Sequence, residues 1–521
     1  MTRALVFTAL LAAGCGSVSD RGACRTSANC PVGEYCAHTP DGDVCWPDSV
    51  APAVSYVTVV CDADPCQRDG SLAVTAQVTD DKEVFAVEAA VDFDPDHPVA
   101  LTRGSGNGWS GTIPLGQLAF PALTREAVVT VRALDGARNE ASDPAGTGQR
   151  PVVTRVRWEY QAGASLTPAA VTYAGEVLVG RNALTDQLHA IRPDGTKAWS
   201  LTIGAGTVTT APSIGAQAIW VGANDGKLYA VKLDGSGELT SPSRSCTASG
   251  TSKGPPAVLT TGGVDVAFGA FSSTQLVASA ATSCAFSPIR DLHSTGAAID
   301  LAGNVVAATA KTGAANLRRY SFAGAAFEEL WTVAVGTTVS ATPAFDADGR
   351  ILTGGQDAGL DRTTITGVTS PLATLTGSLD EPPIVLSNGD IVVGDASGKL
   401  HRLRADGTAV WDPPVDLGAA AHAPMALTGG PIRFLVATVD GRLHALDDAG
   451  GILWSGALSS GMALGPGNLY TPPGSTRSTA FYGGADGKLY AVLVEGWLDT
   501  SAPWPKAWHD ARNTSRAGGA F

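Results

Sequence analysis

The chemistry that this sequence predicts most clearly is cysteine chemistry near its start. Cys24, Cys30, Cys36 and Cys45 follow one another with five, five and eight residues between them. A segment this short cannot bury a hydrophobic core, so two disulfide bonds are expected to hold it together. A zinc site is the alternative, but no two cysteines have the two-residue separation typical of zinc motifs. We predict a disulfide-rich module at residues 20–50.

Cys15 ends a segment typical of exported proteins. The apolar run at residues 4–13 is shorter than the roughly 20 residues that span a bilayer, so it predicts a secretory signal. Leu-Ala-Ala-Gly-Cys at residues 11–15 resembles the bacterial lipobox, which implies that Cys15 receives lipid and anchors the chain to a membrane. Gly16 then implies transport to the outer membrane. Cleavage near Gly14 without lipid is the alternative.

Other candidate ligands and catalytic groups are weaker. The acidic segment at residues 92–97, with Asp80 and Asp81 nearby in sequence, has alternating carboxylates that could bind Ca²⁺. A solvated hairpin loop is the simpler interpretation. The segment at residues 346–349 begins like a calcium-binding loop, but Ile351 stands where that loop needs glycine. The sequence has no nucleophile elbow, phosphate loop or zinc-protease motif, so we assign no catalytic, cofactor or metal residue.

A repeat of 40 to 48 residues fills the last two-thirds of the chain and predicts its strands and turns. Its clearest copies are Gly-Ala-Asn-Asp-Gly-Lys-Leu-Tyr-Ala-Val at residues 222–231 and Gly-Gly-Ala-Asp-Gly-Lys-Leu-Tyr-Ala-Val at residues 483–492. The leucine that follows the turn recurs at Leu188, Leu228, Leu276, Leu317, Leu360, Leu400, Leu443 and Leu489. Each unit has four strand-length apolar runs separated by turns. The sequence therefore predicts an all-β fold with an eight-bladed β-propeller of four-stranded blades.

The last unit lacks a clear fourth strand after residues 489–495. A suitable strand stands before the array, as Thr-Arg-Val-Arg-Trp-Glu-Tyr at residues 154–160. We predict that it pairs with the last unit, which would close the ring and leave no open sheet edge.

The units resemble the propeller repeats of the pyrroloquinoline-quinone (PQQ) dehydrogenase superfamily over residues 154–516. The shared features are the Leu-Tyr-Ala strand, the Asp-Gly turn, a tryptophan in the outer strand, and a proline that opens the next inner strand. That proline is present at Pro168, Pro212, Pro255, Pro343, Pro382, Pro424 and Pro466. That tryptophan is present at Trp199, Trp331, Trp411 and Trp454, and absent from the units at Leu228, Leu276 and Leu360. Residues 503–514 resemble a closing segment common beside such repeats, which His509 is expected to lock. PQQ enzymes of the superfamily carry two adjacent cysteines and oxygen ligands for Ca²⁺. No adjacent cysteines occur here, so no cofactor is expected.

Three histidines fall into the repeat. His189, His401 and His444 stand where other copies have Tyr229 and Tyr490, which predicts a role in packing between blades.

Without Cys15, eight cysteines remain, an even number. Cys61 and Cys66 are close enough to close a small loop. Cys246 and Cys284 fall in or near the outer strands of neighbouring units, and that distance leaves their pairing open.

Residues 52–147 predict one β-sandwich, because apolar residues alternate at residues 72–78, 84–91 and 127–133. The end of this region resembles the last strand and turn of bacterial immunoglobulin-like domains. A polar linker rich in Pro and Gly follows at residues 142–150, and the propeller is expected to occupy residues 151–516.

Composition limits the partners. The net charge of −14 argues against nucleic acid and anionic lipid surfaces. We expect a monomeric, non-catalytic lipoprotein on the periplasmic or surface side of the bacterial outer membrane. Its propeller would bind a protein or a glycan, either in adhesion or in envelope assembly, as resemblance to the propeller lipoproteins of the β-barrel assembly machine implies. The loops at residues 235–254 and 270–287 are expected to contact the partner. A PQQ-dependent oxidoreductase is the alternative.

Overall fold

The computed structural model describes residues 23–146, 149–237, 245–273, 275–280, 283–288, 292–311, 314–323, 326–335 and 338–518. The predicted signal segment and the predicted lipidation site at Cys15 lie outside these residues. The chain divides after Arg155 into two compact units. Among the described residues, no helix is long and apolar enough to cross a membrane.

Where the structure describes it, the first unit contains thirteen strands and the short 3-10 turns Ser27–Asn29 and Leu115–Gln117. The strands are β1 (Glu34–Thr39), β2 (Gly42–Pro47), β3 (Ala53–Cys61), β4 (Cys66–Gln67), β5 (Ser71–Thr79), β6 (Val84–Val91), β7 (Asp94–Ala100), β8 (Thr102–Arg103), β9 (Gly108–Pro114), β10 (Thr124–Glu126), β11 (Val129–Asp135), β12 (Glu140–Pro144) and β13 (Val152–Thr154). They form the hairpin β1-β2, the sheets β3-β5-β9-β8 and β12-β11-β6-β7, and the small sheet β10-β13-β4.

The two four-stranded sheets share one hydrophobic core. Along β5 the side chains alternate, so that Leu72 and Val74 are fully buried while Ala73 and Thr75 are exposed. Val131 of β11, in the other sheet, belongs to the same core. The alternation predicted for β5, β6 and β11 thus gives each strand one core face and one outer face.

Disulfide bonds take the place of a core in the short segment before the sandwich. Cys24 is bonded to Cys36, and Cys30 to Cys45, with Cα–Cα distances of 5.7 and 5.5 Å. Cys36 and Cys45 face each other across the β1-β2 hairpin, yet each is bonded to a cysteine outside that hairpin. The predicted disulfides are therefore present, and the four cysteines of the zinc alternative are all bonded in pairs.

The second unit begins with β14 (Val156–Gln161), and its described residues form eight sheets, seven of four strands and one of five. Sheet 1 contains β15 (Ala170–Val171), β16 (Val177–Gly180), β17 (Leu188–Ile191) and β18 (Lys197–Leu201). Sheet 2 contains β19 (Ser213–Ile214), β20 (Ala218–Gly222), β21 (Lys227–Lys232) and β22 (Ser245–Thr247). Sheet 3 contains β23 (Ala257–Thr261), β24 (Val264–Gly269), β25 (Val277–Ser279) and β26 (Cys284–Phe286). Sheet 4 contains β27 (Leu292–Ile299), β28 (Val305–Lys311), β29 (Ala314–Ala323) and β30 (Ala326–Val335).

The remaining sheets follow the same order. Sheet 5 contains β31 (Ala344–Phe345), β32 (Ile351–Gly354), β33 (Gly359–Thr363) and β34 (Thr369–Thr374). Sheet 6 contains β35 (Ile384–Val385), β36 (Ile391–Gly394), β37 (Lys399–Leu403) and β38 (Val415–Asp416). Sheet 7 contains β39 (Met425–Thr428), β40 (Phe434–Ala437), β41 (Arg442–Leu446) and β42 (Ile452–Ala457). Sheet 8 contains β43 (Asn468–Tyr470), β44 (Arg477–Gly483), β45 (Lys488–Glu495) and β14, and β46 (Trp497–Leu498) adds to β39 of sheet 7.

The sheets pack face to face as a propeller. Neighbouring sheets share hydrophobic clusters, and sheet 8 shares one with sheet 1 through Phe481, Leu489 and Val179. First strands of neighbouring sheets contact each other, as β43 contacts β15 and β15 contacts β19. The first strand of each sheet is therefore the inner strand, which lines the centre.

The predicted ring closure is present. β14 pairs antiparallel with β45, so that Trp158 lies opposite Ala491 and Tyr160 opposite Leu489. Trp158 Nε1 also donates to the carbonyl of Pro193 in sheet 1 at 2.9 Å. One sheet therefore contains both ends of the repeat array.

Outer-strand tryptophans pack on a glycine of the next sheet, which explains why both residues recur. A Cβ atom on Gly195 would lie 2.7 Å from the Trp158 ring, and one on Gly235 would lie 2.2 Å from the Trp199 ring. Gly367 and Gly450 contact Trp331 and Trp411 in the same way. All four glycines lie in the turns before outer strands and have positive φ. A side chain at any of these four positions would collide with the tryptophan, so glycine allows neighbouring sheets to pack.

Candidate functional site

The closing segment predicted at residues 503–514 extends to residue 517 in the structure. From here on the name closing segment denotes residues 504–517, which run along the inner strands around the centre of the propeller. Backbone amides of these strands donate to carbonyls of the segment in six of the eight sheets. The pairs are Val385 with Trp504 (2.8 Å), Ala426 with Pro505 (2.8 Å), Val171 with Ala511 (2.7 Å), Ile214 with Arg512 (2.9 Å), Val258 with Thr514 (2.9 Å) and Ile299 with Ser515 (2.8 Å).

The other two sheets are reached by side chains. Asn468 of β43 donates through Nδ2 to the carbonyl of Ala511 at 2.8 Å. The ring of Phe345 in β31 packs on Trp504 with centroids 5.7 Å apart. Because one short segment touches all eight inner strands, it lies within the ring of inner strands.

The closing segment lies near one end of the inner strands. Val171, Ile214 and Ile299 are the last residues of β15, β19 and β27, next to the turns that lead into the second strands. We name this end the closing face. Since the strands alternate in direction, the turns between third and fourth strands lie on the same face. The turns between second and third strands lie on the opposite face.

A buried lysine organises the middle of the closing segment. Lys506 is completely buried, and its Nζ donates to the carbonyls of Ala507 (2.6 Å) and Asp510 (3.1 Å) and to Oδ1 of Asn513 (2.9 Å). Asn513 in turn donates to the carbonyl of Ala169 at 2.8 Å. Burial lowers the pKa of Lys506 to about 7.

The neighbouring acid, Asp510, accepts hydrogen bonds from other residues of the closing segment. Asp510 accepts from the hydroxyl of Thr514 and from the amide of Arg512 at 2.9 Å, and its Oδ2 lies 3.5 Å from Nδ1 of His509. Burial alone would raise the pKa of Asp510, but the bonds from His509 and Thr514 hold it below its usual value. His509 also packs on Trp504, with ring centroids 5.1 Å apart. His509 is thus buried against Asp510 and Trp504, and its role in locking the closure stays a prediction.

Trp508 packs on inner residues of two sheets. It lies 8% exposed in a cluster with Ala211, next to sheet 2, and Ala423, next to sheet 7. Near Ala423, Nδ1 of His422 lies 2.8 Å from Oε1 of Glu381.

The three repeat histidines lie in third strands and are buried, at positions equivalent to Tyr229 and Tyr490. His189 shares a hydrogen bond of 2.9 Å with the Tyr160 hydroxyl, and burial lowers its pKa. His444 is 4% exposed, and burial lowers its pKa too. These placements are consistent with packing between sheets, in the way that the repeat pattern indicates.

His401 belongs to a group of side chains whose hydrogen bonds converge on the carboxylate of Asp395. Oδ2 of Asp395 lies 2.9 Å from Nε2 of His401, and Oδ1 accepts from the amide and the hydroxyl of Ser397 at 2.9 and 2.7 Å. The hydroxyl of Thr376 also donates to Asp395. Burial alone would raise the pKa of Asp395, but these bonds lower it to about 2. The cluster stabilises the turn between β36 and β37.

The sequence left the pairing of Cys246 and Cys284 open. In the structure they form a disulfide bond with a Cα–Cα distance of 5.5 Å. The bond joins β22 of sheet 2 to β26 of sheet 3. Residues 235–254 and 270–287, predicted as partner-binding loops, therefore include outer strands as well as loops. Residues 238–244, 274 and 281–282 of these ranges lie outside the described residues. The fourth disulfide, Cys61–Cys66, closes the loop between β3 and β4.

The acidic segment at residues 92–97 uses its carboxylates within the sandwich. Asp92 accepts from the amide of Val128 at 3.0 Å and pairs with Arg125. Asp94 accepts from the amide of Ala119 at 2.6 Å and lies 2.7 Å from Nδ1 of His97. Asp92 and Asp94 are thus bonded to other groups of the sandwich.

The sequence analysis named Asp80 and Asp81 but did not group them with Asp48. Asp80 and Asp81 lie beside Asp48, with one carboxylate oxygen of each within 4.8 Å of the others. Burial raises the pKa of Asp80. Asp48 stands alone in the sequence, so no pattern indicated this grouping.

The residues present do not fit the quinone of the PQQ enzymes. Every described cysteine belongs to one of four disulfides, and the two closest in sequence are five positions apart. Asp510, the buried acid of the closing segment, is already bonded by Thr514 and by backbone amides. We therefore derive no catalytic step through this group.

Comparison with known proteins supports the repeat. Residues 320–507 match the PQQ-like repeat family described as outer membrane protein assembly factor BamB. Over residues 320–507 the repeat is therefore similar to that of this family. No curated protein matches the chain. The computationally designed protein Ika8 is 15% identical with a TM-score of 0.48, over 64% of this chain and 98% of Ika8. BamB from Moraxella catarrhalis is 15% identical with a TM-score of 0.46, over 65% of this chain and 99% of that protein.

Proposed function

We propose that the chain is a non-catalytic, protein-binding scaffold of the bacterial cell envelope. The eight sheets are the blades of an eight-bladed propeller, and the sandwich is an immunoglobulin-like spacer. Lipid on Cys15 anchors the chain to the outer membrane, on its periplasmic or surface side. Envelope assembly is the preferred role, because residues 320–507 match the repeat of an outer membrane protein assembly factor.

The observation that carries this proposal is the closing segment. Its backbone is bonded to inner strands around the ring, and Lys506, His509 and Asp510 within it are nearly or fully buried. A channel filled in this way offers little room for a small substrate. The faces and the outer edge of a rigid propeller then remain for binding, which suits a macromolecular partner.

The closing face is the better candidate for the contact surface. Exposed apolar side chains in its turns include Leu301 and Val368, each 63% exposed. Tyr173, Leu233, Val264 and Ile365 are further exposed apolar residues in turns of this face. Apolar side chains at the centre of an interface contribute most of the binding free energy.

Site-specific photocrosslinking in the native envelope tests the proposal. A crosslinking amino acid replaces Leu301 or Val368 on the closing face, and Leu184 or Val439 serves as the matched exposed control on the opposite face. We expect the first two sites to crosslink a protein of outer-membrane assembly and the controls to give little product.

The other outcomes are informative. Crosslinks to an extracellular protein or glycan would favour a role in adhesion. The presence of the first unit, with its disulfide-rich module and sandwich, is in keeping with such a role. Equal crosslinking from both faces, or none, would contradict a docking role for the closing face.

The enzymatic alternative has its own test. Purified protein is titrated with PQQ and Ca²⁺ while absorbance and oxidation of alcohols and sugars are followed. We expect no saturable spectral change and no oxidation. A saturable change together with turnover would replace the scaffold by a quinoprotein oxidoreductase.

A further inference from the structure

The acidic group of Asp48, Asp80 and Asp81 lies where the disulfide-rich segment meets the sandwich. Asp48 directly follows β2, whereas Asp80 and Asp81 occupy the turn between β5 and β6. One carboxylate oxygen of each residue lies within 4.8 Å of the other two. Folding thus brings together three like charges from two parts of the chain.

Two of these carboxylates have an oxygen that no donor among the described residues reaches. Asp48 is 8% exposed; its Oδ1 accepts from the amide of Val50 at 3.0 Å, whereas its Oδ2 is buried without a hydrogen-bond partner. Asp80 repeats this arrangement. Its Oδ1 accepts from the amides of Lys82 and Glu83 at 2.8 and 2.9 Å, and its Oδ2 is buried without a partner. A buried carboxylate oxygen left unsatisfied is strongly unfavourable, so each of these atoms requires a further partner: a water molecule, a proton or a cation.

Lys82 supplies positive charge only from the exposed side of the group. Its Nζ pairs with Asp81 at 3.0 Å and interacts electrostatically with Asp48, but its side chain is 39% exposed. Asp135 is completely buried and acts electrostatically on Asp80, which adds another negative charge to the neighbourhood. Negative charge therefore exceeds positive charge around the two unsatisfied oxygens.

We propose that Asp48, Asp80 and Asp81 bind one calcium ion. The group offers only oxygen ligands, and histidine and cysteine, which softer metals prefer, are absent from it. Calcium accepts irregular sites with six to eight oxygen ligands, while magnesium demands near-ideal octahedral geometry. The exposed side of the site, at Asp81, allows water to complete the coordination shell.

The ion would fasten the disulfide-rich segment to the sandwich. Hydrogen bonds already join them in this region: the amide of Gly33 donates to the carbonyl of Ala137 at 2.8 Å, Nδ2 of Asn139 donates to the carbonyl of Asp48 at 3.1 Å, and Oγ of Ser27 donates to Oε2 of Glu83 at 2.8 Å. A calcium ion shared by Asp48 and Asp80 would add a further link and neutralise the repulsion between them.

Isothermal titration of the full-length exported chain, with its disulfides intact, tests the site with CaCl₂ alone. We expect one calcium ion per chain with a dissociation constant on the order of 10⁻⁴ M, as in other extracellular modules. Asp48→Asn and Asp80→Asn should each weaken binding by at least about tenfold, because each removes a ligand charge. Asp96→Asn, an exposed aspartate of the same sandwich, is the matched control and should leave the affinity unchanged.

A second measurement keeps the test decisive if a buried substitution impairs folding. Asp81→Asn changes an exposed ligand and should weaken calcium binding while the far-ultraviolet circular dichroism stays the same. Calcium should also slow hydrogen exchange at the amides of Val50, Lys82 and Glu83.

Absence of saturable binding at millimolar calcium would overturn the proposal. Equal affinity in Asp80→Asn and Asp96→Asn, or equal affinity for magnesium, would also overturn it. These results do not depend on whether the propeller binds a partner.

Discussion

Cys246 in β22 is bonded to Cys284 in β26, so a covalent bond ties the outer strand of sheet 2 to that of sheet 3. The outer strands of these two sheets lack the tryptophan that packs on the next sheet elsewhere, as Trp199 packs on Gly235. The disulfide thus fastens two sheets at a place where the aromatic contact is missing.

Replacing both cysteines of this bond should destabilise the second unit. The bond closes a loop of 38 positions, and the chain-entropy estimate for such a loop is roughly 4 kcal/mol. The double variant Cys246→Ala/Cys284→Ala should lower the free energy of unfolding by up to that amount in urea titration followed by tryptophan fluorescence. Cys61→Ala/Cys66→Ala, whose loop spans five positions, should cost roughly 2 kcal/mol in the first unit. A larger loss from the short loop would contradict this explanation.

Trp504 is predicted to be essential for the stability of the propeller. Its side chain is fully buried against Phe345 and His509, and its backbone pairs with Val385. Trp504→Ala should lower the free energy of unfolding of the second unit by about 3–5 kcal/mol. Tyr173→Ala, which removes an aromatic ring that is 68% exposed, should change it by less than about 1 kcal/mol. Similar losses in the two variants, measured by urea titration, would show that the closing segment adds little.

Lys506 should make stability rise with pH on the alkaline side of neutrality. Its pKa is lowered from 10.5 to about 7 in the folded chain, so between these values the unfolded chain binds more protons than the folded one. Stability from this group therefore increases as pH rises from about 7 toward 10 and is flat below that range. Lys506→Met should remove this part of the pH dependence. Thermal unfolding of both proteins at several pH values measures the difference, and parallel curves would contradict the lowered pKa.

Asp395 should contribute stability that is lost in acid. Its pKa is lowered from 3.8 to about 2, so the contribution is complete above about pH 4 and disappears as pH falls toward 2. Asp395→Asn should cost roughly 2–3 kcal/mol at neutral pH, since it weakens charge-assisted bonds from Thr376, Ser397 and His401.

The cost of Asp395→Asn should shrink in acid, as urea titration at neutral and low pH would reveal. Asp380→Asn is the control, because Asp380 is exposed. A cost that does not depend on pH would indicate a steric rather than an electrostatic role for Asp395.

The repeat and its closure could be predicted from the sequence because they rest on local patterns. The leucine after each turn and the Asp-Gly turns recur at regular spacing, and the strand around Trp158 lacks a partner of its own. Pairing of β14 with β45 follows from these two facts. The repeat histidines could be placed for the same reason, since His401 takes the position of Tyr229 in another copy.

The rest depends on distances that no local pattern encodes. The closing segment is irregular, with positive φ at Trp508, His509 and Asn513, so its path around the inner strands has no periodic signal. The Cys246–Cys284 bond depends on how closely two outer strands approach. Asp48 meets Asp80 only because the disulfide-rich segment packs on the sandwich.

Ring closure also has a consequence for biosynthesis. Glu159 of β14 pairs with Lys488 of β45, 329 positions later. The first strand of the propeller to be synthesised therefore has no partner until nearly the whole propeller has followed it. Until then, the edge of β14 and the edge of the growing array are unpaired and able to join strands of other chains. A chain truncated anywhere before residue 488 would keep both edges open, so premature stops late in the coding sequence should yield aggregated rather than shortened, soluble protein.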